Sequence, residues 1–160
     1  MPTRYPIHCY TEDLVLRVPL ALWLAMLFLT RHIALLGITF LPTTGQEVLM
    51  LRGLVRPEYL IADLIALPVL IAAARRRPEA GPVWRAVWPW GRVWLTTSAV
   101  SFPVLAVGGL LTSGRLLTIG IDGPLVAGLL ASLAVIVYLW RSPLARDVFR
   151  EFPKGRPSDG

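Results

Sequence analysis

Long runs of apolar residues that carry almost no charge constrain the fold of this chain more than any other feature. Four such runs are predicted to cross a membrane, at about 18–40, 58–74, 93–111 and 121–140 of the 160 residues. A helix of about 20 mostly apolar residues crosses the roughly 30 Å hydrocarbon core of a bilayer. The pattern predicts an all-α polytopic membrane protein, a four-transmembrane-helix bundle, in which residues 1–160 form a single membrane domain.

The positive charges between these runs predict the orientation of the chain. Of the 16 Lys and Arg residues, 12 lie in the segments 1–17, 75–92 and 141–160, whereas 3 lie in the two other connecting segments. Cytoplasmic segments of membrane proteins carry the excess of Lys and Arg. We therefore predict that both termini and the segment 75–92 lie in the cytoplasm.

The segment 75–92 is a predicted interfacial loop that is rich in arginine and tryptophan. Tryptophan favours the headgroup level of a bilayer, and basic side chains there face anionic lipid. The predicted membrane-interface anchors are Arg75, Arg76, Arg77, Trp84, Trp88, Trp90 and Trp94. Because the arginines flank apolar runs, the net charge of +6 predicts the lipid bilayer as a partner and does not predict nucleic acid.

Three smaller features are predicted from local composition. Residues 48–51 form a short amphipathic piece that is expected to lie along the interface within the loop 43–57. Pro103, at the middle of the third run, predicts a kink. The segment 141–160 is expected to form a polar cytoplasmic tail that frays at its Pro- and Gly-containing end.

Small residues at helical spacing predict where the membrane helices pack together. Lipid provides no hydrophobic force between helices, so close approach at small side chains contributes much of the association. The predicted packing residues are Ala21 and Ala25 in the first run, Thr97, Ser101, Gly108 and Thr112 in the third, and Gly123, Ala127 and Ala131 in the fourth, with Gly128 and Ser132 beside them. We expect these contacts within one chain, with a homo-oligomer contact as the alternative.

Ionisable residues within two of the runs define a candidate intramembrane polar site. Arg31 and His32 lie in the first run, and Asp63 lies in the second. Charges inside a bilayer are costly, so they usually pair or line a wet cavity. We predict an Arg31–Asp63 pair in the outer half of the membrane, with His32 nearby and pointing into the bundle. This pair would either only lock two helices together or line a polar cavity for a proton, an ion or a lipid headgroup; a lack of any contact is the third alternative.

The sequence contains no recognisable catalytic, cofactor or metal motif. The HExxH, GxSxG, P-loop and GxGxxG patterns are all absent, and His8 with the single cysteine, Cys9, provides too few ligands for zinc. We therefore expect no cofactor, no metal and no enzymatic activity.

Two hypotheses of function remain. The first is an accessory or assembly factor of a membrane complex, with a membrane protein partner or a homo-oligomer. The alternative is a small transport or proton-handling component that uses the intramembrane polar site; a lipid-acting enzyme is a third possibility.

Two stretches of the chain carry a family resemblance. Within Tyr10–Leu36 the relevant residues are Tyr10, Glu12, Asp13, Pro19, Leu20, Leu22, Trp23, Leu24, Arg31 and His32. A later stretch contains Arg75–Arg77, Pro78, Trp88 and the pair Gly91 and Arg92. Both resemble the YfeZ-like family of bacterial inner-membrane proteins of unknown function. The resemblance implies a four-span protein of the bacterial inner membrane and implies no activity.

Overall fold

All the regular secondary structure in the described part of the chain is helical. The computed structural model describes residues 5–6, 9–11, 15–40, 57–112 and 123–153, so the predicted loop 43–57 lies outside them except for its last residue. The helices are α1 (Leu20–Leu29), α2 (Arg31–Thr39), α3 (Pro57–Ala74), α4 (Pro82–Val87), α5 (Gly91–Thr112), α6 (Gly123–Arg141) and α7 (Pro143–Arg150), and a 3-10 turn, Trp88–Trp90, joins α4 to α5.

Three helical segments are long and apolar enough to cross a membrane. They are α3, the run Pro82–Thr112 that contains α4 and α5, and α6. The pair formed by α1 and α2 meets the same criterion only as one broken span, with a bend of 63° between its halves. The described part is thus all-helical and suited to a membrane, with three helices that could cross it, or four if the bent pair is one span and not a re-entrant loop. The predicted first span, at about 18–40, is broken into two helices at Thr30.

Helix α5 packs against both α3 and α6, and its buried face differs from the predicted one. The buried residues are Gly91, Leu95, Ser98, Ala99, Phe102 and Ala106, whereas Thr97 and Thr112 are exposed. The hydroxyls of Thr97 and Ser101 donate to the carbonyls of Val93 and Thr97 in their own helix. These hydroxyls need no partner helix, which explains why the small polar stripe does not face the protein. The helix runs through Pro103 without interruption.

Of the small residues predicted to pack in helix α6, the pair beside the main stripe is the one that is buried. Its buried residues include Gly128 and Ser132, whereas Gly123 and Ala127 of the predicted stripe are exposed. A side chain at Gly128 would lie 3.0 Å from the ring of Phe102. The close approach of this large ring to the backbone of α6 explains why Gly128, rather than its neighbours, faces α5.

The N-terminal segment, the segment after α3 and the C-terminal segment meet at one end of the molecule. Arg76, just beyond the end of α3, donates to the carbonyls of Leu16 and Glu151. The backbone N–H of Leu16 in turn donates to the Glu151 carboxylate at 3.3 Å. Farther out, the Tyr5 hydroxyl donates to Asp147 at 2.8 Å. These contacts place both ends of the described chain beside the C-terminal end of α3, which we call the Arg/Trp end.

The structure corrects the prediction of an interfacial Trp88, and it shows a helix in the first part of the predicted tail. Helix α7 buries Val148 and Phe149 against the core. Trp88 is 0% exposed: its indole N–H donates to the Val148 carbonyl at 2.8 Å, and its ring lies 4.9 Å from that of Phe149. Trp88 therefore anchors α7 and does not reach lipid headgroups. Residues 154–160 of the predicted tail lie outside the described part.

Candidate functional site

The break between α1 and α2 creates the candidate site, and Thr30 is its pivot. The backbone at Thr30 leaves helical geometry, with φ −106° and ψ 16°. Both its N–H and its hydroxyl donate to the Met26 carbonyl, at 3.1 and 2.9 Å. In an unbroken helix, His32 and Ile33 would donate to the carbonyls four residues earlier. The break leaves these two N–H groups without helical partners inside an apolar segment, where unpaired backbone groups are costly.

Asp63 of α3 accepts both of these N–H groups. Its Oδ2 lies 2.7 Å from the backbone nitrogen of His32 and 3.0 Å from that of Ile33. Side chains that cap a helix normally come from the residue before it, whereas this carboxylate comes from a different helix. Its charge also complements the positive end of the α2 dipole. These contacts explain how an aspartate that is only 2% exposed is accommodated in an apolar helix.

His32 pairs with the second oxygen of the same carboxylate. Its Nδ1 lies 3.0 Å from Asp63 Oδ1, and the side chain is buried, as the sequence predicts for its orientation. In the described part of the chain, its other ring nitrogen, Nε2, has no hydrogen bond. The imidazole forms a three-ring cluster with Tyr59, at 5.3 Å, and Phe102, at 5.9 Å, whose own rings lie 5.1 Å apart. The site thus combines a fixed carboxylate with an imidazole that has one uncommitted nitrogen.

Arg31 belongs to the site but does not form the predicted ion pair with Asp63. Its Nη1 donates to the Phe28 carbonyl at 2.9 Å, an acceptor that the break frees because His32 no longer donates to it. Its guanidinium lies over the rings of Phe28 and Phe102, at 4.2 and 4.4 Å. The prediction assumed a straight helix with a snorkelling arginine, whereas the break brings the backbone of α2 and His32 to Asp63 instead. Arg31 therefore satisfies the carbonyl that the break frees in α1, and Asp63 satisfies the two N–H groups that it frees in α2.

Sequence reasoning missed four residues that complete the site. They are Thr30 at the break, Tyr59 and Phe102 around the imidazole, and Gly128, where a side chain would lie 3.8 Å from Arg31 Nη2. Two signals were available: Thr directly precedes the charged pair at positions 31 and 32, and Tyr59 lies one helical turn before Asp63. Phe102 has no local signal, because only the packing of α5 places it there.

Two buried hydroxyls lie one helical turn from Phe102 and Gly128. Two contacts define the register of the antiparallel helices α5 and α6: Arg92 donates to the Leu139 carbonyl at 2.9 Å, and Phe102 packs against Gly128. This register places Ser98 opposite Ser132. Both serines are buried and neither hydroxyl has a hydrogen-bond partner in the described part. Buried polar groups are rarely unpartnered, so these two hydroxyls are an unusual polar feature of the α5–α6 interface.

The predicted interface anchors other than Trp88 lie at the Arg/Trp end with different exposures. Trp90 and Trp94 are 63% and 39% exposed, and Trp84 is half-buried with the guanidinium of Arg75 at 5.6 Å from its ring. The guanidinium of Arg76 donates to the backbone carbonyls of Leu16 and Glu151. Burial lowers the pKa of Arg76 to about 10, and the Glu151 carboxylate opposes this shift, so the side chain stays charged at neutral pH. Interfacial anchoring therefore remains a prediction for the exposed members of the set.

No group of three or more His, Cys, Asp or Glu side chains clusters in the part of the chain that the structure describes. His32 and Asp63 alone provide two of the ligands that a metal would need. Two groups of this kind suit the binding and release of a proton better than the coordination of a metal.

The comparisons with known proteins identify a family and no activity. A family model with the description "Protein of unknown function (DUF2919)" matches residues 5–151, which include the whole candidate site. The match carries no link by name to the YfeZ-like proteins. No curated protein and no solved structure matches the chain.

Proposed function

We propose that this chain, which belongs to the family of unknown function DUF2919, is a proton-handling membrane component in which His32 gains and loses the proton. The observation that carries the proposal is the buried pair of His32 and Asp63 at the break of a membrane-length helix. Ionisable residues at such depth are costly and usually mark proton, ion or substrate sites. Broken helices similarly line binding sites in membrane transport proteins.

The chemistry of the pair supports a proton as the species that is handled. Histidine is the side chain whose unperturbed charge changes between about pH 5 and 8. Asp63 accepts a hydrogen bond at Nδ1, which fixes the ring orientation and leaves Nε2 as the basic atom. Since two backbone N–H groups hold the carboxylate in place, Asp63 can stabilise an imidazolium without moving. A purely structural cap on α2 requires only Asp63 and gives no role to the ring.

The first test is a direct titration of the ring. The chain has two histidines, so protein labelled with ¹⁵N-histidine in nanodiscs gives two sets of ring signals, and His32→Gln assigns them. Spectra are recorded from about pH 5 to 8, and we expect Nδ1 of His32 to stay protonated while Nε2 gains and loses the proton. In Asp63→Asn we expect a mixture of tautomers, because the ionised acceptor at Nδ1 is gone. A ring that keeps one protonation state over this range contradicts the proposal.

The second test measures proton movement. Purified protein in liposomes that contain a pH-sensitive dye is given a potassium diffusion potential, and the internal pH is followed. We expect a flux that depends on His32 and is lost in His32→Gln. The variant Cys9→Ser is the control, because Cys9 lies outside the membrane helices. Flux equal to that of empty liposomes would mean that the site does not move protons by itself.

The proposed topology has four crossings, both termini in the cytoplasm and a place in the bacterial inner membrane, as the YfeZ-like resemblance implies. The excess of Lys and Arg in the segments 1–17, 75–92 and 141–160 supports it. Contacts support it too. Arg76, just beyond the C-terminal end of α3, binds the carbonyl of Leu16, whereas Pro57 begins α3, which is 18 residues long. At 1.5 Å per residue that distance is about 27 Å, so the chain from Leu16 to Pro57 runs from one end of the molecule to the other.

A second candidate function is that of an accessory subunit, and helix α6 favours it. Its exposed stripe contains Gly123 and Ala127, and nothing in the described part lies within 4 Å of a side chain built at Gly123. Small exposed residues allow the close approach of a transmembrane helix from a different membrane protein. A photoreactive residue at Ala127, followed by mass spectrometry of the crosslinked product, tests this role. A stoichiometric membrane protein supports it, whereas a crosslink to lipid alone or to a second copy contradicts it.

A further inference from the structure

A cavity of about 400 Å³ opens at the Arg/Trp end, in the turn that connects α3 to α4. Its walls include Arg75, Arg77, Glu79 and Trp84. The cavity lies directly after the last residue of a membrane-length helix. In a membrane this position falls at the level of the lipid headgroups, where tryptophan is also favoured.

Arg75 and Arg77 are available to a ligand, unlike the other arginines around them. Arg76 between them donates to two backbone carbonyls, and Arg85 donates to the Pro78 carbonyl. Neither Arg75 nor Arg77 makes a side-chain hydrogen bond or ion pair with the described part of the chain. The Arg75 guanidinium is placed by its contact with the Trp84 ring at 5.6 Å. Two guanidinium groups with free donors are suited to bind phosphate oxygens.

Glu79 adds a negative charge to a cavity that is otherwise lined by two positive charges. Its carboxylate is exposed and has no partner in the described part, and it lines the same space as the two arginines. A carboxylate would repel a bare phosphate, but it would accept hydrogen bonds from an ammonium group on the same ligand. The combination matches a zwitterion in which a phosphodiester and an ammonium group are joined by a short linker.

We propose that this cavity binds the headgroup of an aminophospholipid, with Arg75 and Arg77 on the phosphodiester and Glu79 on the ammonium group. We assign the headgroup to a membrane lipid and not to a soluble compound, because the acyl chains of a lipid bound here would enter the bilayer beside α3. This site is independent of the pair formed by His32 and Asp63, which lies near the opposite end of α3.

The experiment is native mass spectrometry of the full chain, released from nanodiscs that contain equal amounts of phosphatidylethanolamine, phosphatidylglycerol and phosphatidylcholine. We expect phosphatidylethanolamine to be retained in preference to the other two. The double variant Arg75→Gln/Arg77→Gln should reduce retention of all three lipids by about tenfold or more, because charge-assisted hydrogen bonds to phosphate are lost. Glu79→Gln should keep the lipid but remove the preference for phosphatidylethanolamine.

Arg141→Gln is the matched control, since Arg141 is an exposed arginine outside the cavity, and it should retain lipids like the unmodified chain. Soluble glycerophosphoethanolamine is added in a separate arm. Displacement of the lipid only at a large excess agrees with a lipid site, whereas tight binding of the soluble compound without lipid overturns the assignment of the source. If Arg141→Gln and the double variant lose lipid equally, or no variant differs from the unmodified chain, the proposal is wrong and Arg75 and Arg77 only complement the C-terminal end of α3.

Discussion

At the scale of single residues, Asp63 of α3 stabilises the break between α1 and α2 by capping α2. It accepts three hydrogen bonds, two from the backbone of α2 and one from the ring of His32. An aspartate that caps a helix from another helix also fixes the position of the two helices relative to each other. Capping, packing and the proposed proton chemistry therefore depend on one carboxylate.

The first prediction concerns the stability contributed by Asp63. Asp63→Ala should lower the free energy of unfolding in a bilayer or nanodisc by about 1–3 kcal/mol, because buried N–H groups of α2 lose their acceptor. Glu58→Ala is the control: Glu58 is an exposed acid in the first turn of the same helix, and its loss should change stability by about 0.5 kcal/mol or less. Thermal unfolding of both variants is the measurement. Equal losses would mean that α2 does not depend on Asp63.

A second prediction at this scale concerns Ser98 and Ser132. The double variant Ser98→Ala/Ser132→Ala should leave stability unchanged or slightly raised, because neither hydroxyl has a protein partner. If these hydroxyls extend the polar site along the α5–α6 interface, proton flux in liposomes should fall although the fold persists. Ser101→Ala is the control, since this hydroxyl donates to its own helix. A large loss of stability in the double variant would show that the hydroxyls are partnered after all.

At the scale of elements, the docking of α7 depends on a glycine in another helix. A side chain at Gly91 would lie 2.5 Å from the Phe149 ring and 3.0 Å from Val69. The first helical position of α5 is thus packed so closely that only glycine fits. This contact and the hydrogen bond from Trp88 to Val148 together hold the C-terminal helix against the core.

The third prediction follows from this contact. Gly91→Ala should displace α7, because overpacking typically costs about 1–3 kcal/mol, and trypsin should then cut after Arg146 and Arg150 about tenfold faster. Gly109→Ala is a matched control in the same helix, where a side chain would meet nothing within 4 Å, and its digestion should be unchanged. Equal protection in both variants would mean that the Phe149 ring moves aside without release of α7.

The elements that sequence reasoning predicted best are those whose signal is local. The apolar runs at α3, α5 and α6 are all helices, because length and hydropathy determine a membrane-length helix by themselves. The break at Thr30 was missed because its stabilising partners, Asp63 and Phe102, come from other helices. Trp88 was assigned to the interface because its segment has an interfacial composition. The sequence could not show that its N–H donates to a carbonyl of α7, a distant part of the chain.

At the scale of the whole molecule, the contacts at the Arg/Trp end constrain the number of crossings. The segments before α1 and after α6 both touch the region beyond the C-terminal end of α3. If α3, α5 and α6 cross the membrane, the segment from Leu16 to Pro57 must cross it as well. Among the described residues of that segment, the bent pair of α1 and α2 has enough apolar length, so packing and charge both favour an even number of crossings.

The fourth prediction tests this topology with single cysteines in a Cys9→Ser background. Gly81 is exposed, with nothing within 4 Å of an added side chain, so Gly81→Cys should react with a membrane-impermeant maleimide only in inverted vesicles, as should Pro2→Cys. Gly45→Cys should react only in right-side-out vesicles, because it lies between the first two crossings. If Pro2→Cys and Gly45→Cys react from the same side, the bent pair does not cross and the pair of His32 and Asp63 is not intramembrane. If all three react from the sides opposite to those expected, four crossings remain but the orientation inferred from Lys and Arg is wrong, and the aminophospholipid cavity then faces the other leaflet.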